Sequence, residues 1–421
     1  MNYKKENNMT VHVKNKGWIV TFSGTGINLA LGILYTWSIF KGAIKDSIGT
    51  AGEGAFDWDL ASLNDPYAVC CIVFAFAMIL AGKCQDKFGP RITAFIGGML
   101  VGIGFIWIST TTNYVVWILG FGVLAGTGIG FGYSAATPPA LKWFPSAKTG
   151  LIAGLVVSGF GLASVYIAPL SQYLLGIWGL QPSMLFFGIA FLIVVCGLST
   201  MLINPPAEYK PEGVNMANTA DQNVKLQNDV GPSVMMKSGA FYIIWLIYFI
   251  GAGAGLMVIG SVAGMAKQSM GEMAFLAVAI MAIGNAGGRI IAGVLSDKIG
   301  RYNTLISMLL FQMILMLVAI PVVSSTGSSP VILVLLATFI GFNYGTNLSL
   351  FPSLTKDKWG LKNFGTNYGI VFTAWGVGGF VMGRLSEMIQ AATQSYTYSF
   401  LTAVALLIIG AGMAFAMKKS K

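Results

Sequence analysis

Gly82-Lys83-Cys84-Gln85-Asp86-Lys87-Phe88-Gly89-Pro90-Arg91 and Gly293-Val294-Leu295-Ser296-Asp297-Lys298-Ile299-Gly300-Arg301 are two copies of one short pattern. The first Gly, the Asp and the second Gly of the copies are each 211 residues apart, half the length of a 421-residue chain. Self-similarity at a half-chain period predicts two structurally equivalent halves. Each copy lies between apolar runs, so it reads as a tight turn joining two helices. Glycine permits the turn and the close approach, while the acid and the bases predict a charge network at the helix ends. A network of Asp86, Lys87, Arg91, Asp297, Lys298 and Arg301 can latch one state of a two-state molecule and break in the other. The competing reading is that the bases merely reach lipid headgroups.

Outward from the repeat, the composition names the solvent. Apolar residues make up 55% of the chain and charged residues only 10%, against about 25% charged in an ordinary soluble domain. Twenty-five Lys and Arg with 15 Asp and Glu cannot clothe the two or three soluble domains that this length would otherwise form. With 54 glycines, 10 tryptophans and a mean hydropathy of +0.74, the chain is predicted to be a bundle of closely packed membrane helices. Disorder, coiled coil and disulfide scaffold are excluded. Runs of about 20 apolar residues, enough to cross a bilayer, fall at 18–40, 61–82, 91–110, 114–137, 149–172 and 183–203. Six more fall at 238–262, 272–295, 302–323, 330–352, 364–388 and 397–417. The first run is too long for a signal-peptide apolar region and is read as a retained helix. The expected fold is an all-α membrane protein of twelve helices in two pseudo-symmetric six-helix bundles. The expected domains are an N-terminal lobe, 1–203, and a C-terminal lobe, 238–421. The Pro-, Asn- and charge-rich stretch 204–237 between them reads as a linker with little fixed structure.

Net charge is +10, yet the bases come in small groups between apolar runs and never form a stripe for nucleic acid. Twenty of them fall on the side that carries both termini and only Lys41, Lys45 and Lys267 on the other. The positive-inside rule then predicts cytoplasmic termini in a multi-pass protein of the cell (plasma or inner) membrane. Cys70, Cys71, Cys84 and Cys196 have no metal-ligand spacing, and the single histidine, His12, lies in the polar leader. No metal site, cofactor site or histidine-based catalytic set is expected, nor is there a G-x-x-x-x-G-K-[ST] loop for nucleotide. An enzyme, an ATP-driven pump and a membrane sensor are disfavoured.

Two arginines remain, and both lie inside spans. Arg289 ends the run Ala282-Ile283-Gly284-Asn285-Ala286-Gly287-Gly288. Counted back from Asp297 at about 1.5 Å per residue, it lies about 12 Å into the membrane, near the midplane where transporter sites sit. A charge at that depth is costly and is a functional hypothesis by default. Its planar fork matches a carboxylate in two parallel hydrogen bonds, so a small organic anion is the favoured ligand; the alternative is an internal salt bridge, for which no acid lies deep in any span. Arg384, three residues from Glu387 near the opposite end of its run, is read as a local ion pair. Polar and aromatic residues in the spans are candidates to line a cavity or to bond neighbouring helices. They are Asn28, Tyr35, Tyr133, Tyr166, Asn343, Tyr344, Asn347, Asn367 and Trp375.

The repeated loop resembles the signature of the major facilitator superfamily. Gly341-Phe342-Asn343-Tyr344-Gly345-Thr346-Asn347-Leu348, Asn363-Phe364-Gly365-Thr366-Asn367-Tyr368-Gly369 and Phe372-Thr373-Ala374-Trp375-Gly376 narrow the resemblance. With Tyr35-Thr36-Trp37 and Lys142-Trp143-Phe144-Pro145, they are similar to the oxalate/formate antiporter family and related monocarboxylate transporters. The resemblance implies alternating access between the lobes. It implies carboxylate binding by Arg289, with Tyr35, Tyr133 and Tyr344 enclosing the substrate; Asn285, Asn347 and Trp375 are further candidate contacts in the spans. This chain departs from the pattern twice. Trp375 stands where the oxalate transporter has a lysine, and Arg384 is half a turn and about 13 Å away from it, so one cation favours a monocarboxylate. Asn285 stands where mammalian monocarboxylate carriers place an aspartate for proton coupling. The expected function is secondary transport of a small monocarboxylate of the lactate, pyruvate or formate type, proton-linked or by anion exchange. The alternative is oxalate:formate antiport. The expected partners are the carboxylate, protons in the first mode, and membrane lipids.

Overall fold

Gly89 and Gly300, the second glycines of the two repeats, have φ of 85° and 90°, a region where a side chain would be strained. Each turns the chain in one residue from one helix straight into the next. The computed structural model describes residues 14–48, 55–206, 209, 211, 229–270, 274–324 and 329–419. Among these, every regular element is a helix. In the first half the long helices are α1 (Gly17–Ile48), α2 (Asp65–Phe88), α3 (Pro90–Ile108), α4 (Tyr114–Trp143), α5 (Thr149–Trp178) and α6 (Leu180–Ser199). In the second half they are α7 (Gly239–Met270), α8 (Ala274–Ile299), α9 (Arg301–Ser324), α10 (Pro330–Trp359), α11 (Phe364–Thr393) and α12 (Thr397–Lys419). The fold is thus all-α, two pseudo-symmetric bundles of six. The expectations at His12, at the Lys267 side chain and over most of 204–237 lie outside the described residues.

Eleven helices among the described residues are long and apolar enough to cross a membrane. The twelfth, α11, spans 30 residues, but its aliphatic content is diluted by Asn367, Tyr368, Trp375 and six glycines in its first twenty residues. That dilution has a structural reason, because the glycine-rich first half of α11 packs against α2 at the centre of the molecule. Elsewhere the exposed face is itself apolar, as at Phe22, Leu80, Ile193 and Val331, each at least 60% exposed. Helices that are hydrophobic all round suit a lipid solvent.

The two halves meet along α2 with α11 and α5 with α8. Backbones touch there because glycines leave no side chain between them. A methyl group on Gly82 would collide with the carbonyl of Gly365, and one on Gly154 would lie 2.5 Å from the carbonyl oxygen of Arg289. The described chain ends, the two repeat loops and the α4–α5 and α10–α11 turns share one side, here the terminal side. On it the two halves are closed against each other.

Two departures from the sequence expectations bear on the site. The first run is one helix interrupted by a tighter 3-10 turn over Gly32–Thr36, which carries Tyr35; such a break inside a helix often marks a functional position. Secondly, the described end of the linker is ordered. Pro232–Lys237 is a short helix, the Val230 amide donates to the Trp359 carbonyl at 3.1 Å, and the amides of Leu361 and Lys362 donate to Asp229 Oδ1 at 2.9 and 3.0 Å. The expectation of little fixed structure is therefore corrected for 229–237. An aspartate at the α10–α11 turn offsets amides that the turn leaves without helical acceptors.

Candidate functional site

Arg289 is completely buried, on α8 where α5 and α10 press closest. Its guanidinium has five N–H groups, and three hydrogen bonds use three of them. Nε donates to Asn285 Oδ1 at 2.9 Å, Nη1 to the Val157 carbonyl at 2.5 Å and Nη2 to the Tyr35 hydroxyl at 3.4 Å. Asn285 lies one turn before Arg289 on the same helix, so it orients the guanidinium from beneath. All three acceptors are neutral, and no carboxylate pairs with Arg289 among the described residues. Arg289 thus carries a full charge in a low-dielectric interior with part of its fork unused, an arrangement that costs several kcal/mol until an anion completes it.

Around the guanidinium lies a cavity lined by Tyr35, Phe74, Tyr133, Phe160, Leu348, Phe372 and Trp375. Its free space is about 10 Å³, room for the centre of roughly one water. Rings from both halves fill the rest. Phe74 lies 5.2 Å from Phe372 and 5.3 Å from Trp375, and Tyr35 meets Phe160 edge-on at 5.2 Å. Tyr344 is one layer out, and its hydroxyl ties the wall together. It accepts from Trp375 Nε1 at 2.6 Å and lies 3.4 Å from the Tyr35 hydroxyl. A carboxylate on Arg289 would therefore sit among aromatic faces, with few competing donors and little water, which strengthens the pairing.

Of the residues singled out in the sequence, Arg289, Asn285, Tyr35, Tyr133, Tyr344 and Trp375 come together here. Asn347 does not: its amide donates back to the Asn343 and Tyr344 carbonyls and its oxygen faces Gly251 of α7. Leu348, one residue on, lines the cavity instead, because a step of one in a helix turns the side chain by about 100°. Asn28 bonds the Val156 carbonyl, Asn343 the Met308 carbonyl and Asn367 the Val230 carbonyl; all three join helices or the linker. Tyr166 is 43% exposed and donates to the Leu29 carbonyl. Arg384 is 69% exposed at its side chain and pairs with Glu387 at 2.8 Å, far from the site. The Val157 carbonyl, Phe74, Phe160 and Phe372 are the functional neighbours that sequence reasoning missed. Phe372 lay in a quoted motif, but a backbone carbonyl has no residue-type signal at all.

On the terminal side, each repeat aspartate caps a helix of the opposite half. Asp86 accepts from the Gly365 amide at 3.0 Å, the Thr366 amide at 2.8 Å and the Thr366 hydroxyl at 2.7 Å, at the start of α11. Asp297 accepts from the Gly150 and Leu151 amides at 2.8 and 2.9 Å, at the start of α5. A carboxylate at a helix N-terminus satisfies free N–H groups and meets the positive end of the helix dipole. Arg301 bridges Asp297 at 2.6 Å and Asp357 at 2.8 Å. Lys87, Arg91 and Lys298 are exposed and make no ion pair among the described residues, so the headgroup reading fits these three better than the network does. Lys356, one of the bases on the terminal side, is buried and donates to Thr149 across the halves.

The family model described as Major Facilitator Superfamily matches residues 17–383. The chain is 29% identical over 367 residues, 86% of this chain and 85% of the other, to the uncharacterized MFS-type transporter YhjX of Escherichia coli (strain K12). It is 26% identical over 384 residues to the oxalate:formate antiporter of Oxalobacter formigenes, covering 90% and 85%. It is 25% identical over 402 residues to monocarboxylate transporter 13 of Bos taurus, covering 94% and 88%. Among solved structures, the proton:xylose symporter XylE bound to 6-bromo-6-deoxy-D-glucose superposes with a TM-score of 0.71 at 14% identity, covering 95% of each chain; that likeness is one of fold.

Proposed function

The chain belongs to the major facilitator superfamily, and from that premise we propose that it carries small monocarboxylates by alternating access. As a member it is a multi-pass membrane transporter of small organic solutes and not an enzyme. The finer reading rests on one observation, a fully buried Arg289 whose hydrogen-bond partners among the described residues are all neutral. A carboxylate of the lactate, pyruvate or formate type supplies the missing charge and the two acceptors that the free edge of the guanidinium calls for. Asn285 holds the fork in place, and Tyr35, Tyr133, Tyr344 and Trp375 close the walls.

The moving parts are the lobes 1–203 and 238–421, joined by the linker 204–237. The Asp86 and Asp297 caps hold the terminal side shut in one state and release in the other. Closing an empty site over Arg289 would leave a bare charge in a dry cavity, so the carrier turns over by anion exchange or admits the anion together with a proton. The bias of 20 bases against three supports cytoplasmic termini in the plasma or inner membrane. The neutral indole of Trp375 and the distance of Arg384 leave one cation in the cavity lining among the described residues, which favours one carboxylate over two. Oxalate:formate exchange is the second reading, favoured by the likeness to the antiporter over 90% of this chain.

Uptake of labelled L-lactate into proteoliposomes separates these modes, with and without a proton gradient and with internal lactate, formate or oxalate. Arg289→Lys tests the fork, since it keeps the charge and loses the planar geometry. Half-saturation is expected to rise at least about 10-fold, the equivalent of one charged hydrogen bond; an unchanged value refutes the argument.

A further inference from the structure

We propose that Tyr133, Tyr248 and Tyr368 form a second, uncharged subsite beside Arg289 that takes up a neutral oxygen of the ligand, a hydroxyl or an oxo group next to its carboxylate. The inference rests on the carboxylate reading of Arg289 and deepens it. The three rings come from both halves of the molecule, α4, α7 and α11, and surround one residue. Their centroids lie 5.5, 6.3 and 5.8 Å from that of Phe372, in the order Tyr133, Tyr248 and Tyr368. Phe372 and Tyr133 also line the Arg289 cavity, so the tyrosine cluster and the cavity share a wall.

All three tyrosines are buried, at 2%, 0% and 3% exposure. The Tyr368 hydroxyl is weakly hydrogen-bonded to those of Tyr133 and Tyr248, but none of the three has a partner at ordinary distance and angle. A buried hydroxyl without a well-aligned partner is unfavourable, and three in one place are more so. By contrast the Tyr344 and Tyr35 hydroxyls in the same region do find partners. The cluster is therefore built to be completed by something that arrives.

Its chemistry says what. Hydroxyls donate and accept but carry no charge, and no cation joins the three among the described residues, so a second carboxylate would be poorly met. An alcohol or ketone oxygen on the carbon next to the carboxylate would be met well, on either its donor or its acceptor side. Tyr133 lines the Arg289 cavity itself, so a ligand held on the guanidinium has one hydroxyl of the cluster beside it. With about 10 Å³ free, the cavity admits it only after the Phe372 ring swings aside. Binding sites that hydrogen-bond a substrate oxygen reject analogues that lack it, because their own polar groups are then left unpaired.

The test compares matched acids by ligand-dependent heat stabilisation of the purified transporter, lactate against propionate and glycolate against acetate. The wild type is expected to bind the oxygen-bearing acid about 10-fold more tightly. Tyr248→Phe and Tyr368→Phe, which remove one oxygen and leave the ring packing, are expected to bring that ratio close to one while propionate binding stays unchanged. A wild type that binds both members of each pair equally, or variants that keep the wild-type ratio, would overturn the subsite alone. A wild type that binds none of the four acids would overturn the monocarboxylate reading and the subsite with it.

Discussion

Asp297→Asn should release the terminal side. In the closed state the carboxylate, with 9% of its side chain exposed, accepts from two backbone amides at the start of α5 and pairs with Arg301. The Arg301 contact lies within one half and survives opening, so it cancels. The two amide contacts join the halves and do not. Asparagine keeps one acceptor oxygen, which retains one amide, but it turns an NH₂ toward the other and removes the charge from the helix N-terminus. One charge-assisted bond is worth about 1.5–3 kcal/mol and the helix-dipole contribution about 0.3–1 kcal/mol. Discounted for the part that water recovers on opening, the difference is about 2 kcal/mol against the closed state, roughly a 30-fold shift in the closed-to-open ratio. Spin labels on cysteines introduced at the exposed Lys148 and Lys298, in a chain with Cys70, Cys71, Cys84 and Cys196 replaced, report the separation of α5 and α8. The wild type should show a short distance, Asp297→Asn a longer one and Asp297→Glu an intermediate population. A distance distribution unchanged by Asp297→Asn would refute the idea that this contact holds the two halves together.

Trp375→Lys should restore a second cation beside Arg289; oxalate should then compete with lactate uptake in liposomes at least about 10-fold more strongly than against the wild type, and unchanged competition would sink the one-cation argument. Gly154→Val places side-chain carbon where the Arg289 carbonyl already sits, 2.5 Å away. The overpacking should cost about 1–3 kcal/mol, seen as a lower melting temperature together with reduced uptake, and a full-strength variant would show that α5 and α8 are less closely packed than they are here. Arg384→Gln breaks an exposed pair worth less than about 1 kcal/mol, so half-saturation for lactate should not move; a change would return Arg384 to the list of substrate contacts.

The twelve apolar runs were legible because a bilayer imposes a length that soluble folding does not; their ends were not, since several helices run on past that length, as α5 does to Trp178 and α10 to Trp359. α11 was legible as a run although its hydropathy is the poorest of the twelve, and the same glycines and polar residues that dilute it mark its place against α2. The repeat was legible in its glycines and aspartates, each with a backbone duty: φ near 90° at Gly89 and Gly300, helix caps at Asp86 and Asp297. Its bases were not, since a lysine reaching lipid and a lysine in a network read alike in sequence. Asp229 lies in a stretch whose composition looks like linker, and only its contact with the α10–α11 turn reveals the order.

For the site, the sequence by itself determined that a charge lies deep in a span with no acid to match it, because hydrocarbon makes any such residue costly enough to need a purpose. It also determined which aromatic side chains were available nearby. The tertiary structure alone decided which of them meet. In a helix that is apolar on every face, lipid and protein interior reward the same residues, so the pattern does not say which stripe turns inward. That ambiguity is why Asn347 falls against Gly251 while Leu348 lines the cavity, why the Val157 carbonyl holds Arg289, and why Phe372 lines the cavity with three buried tyrosines around it.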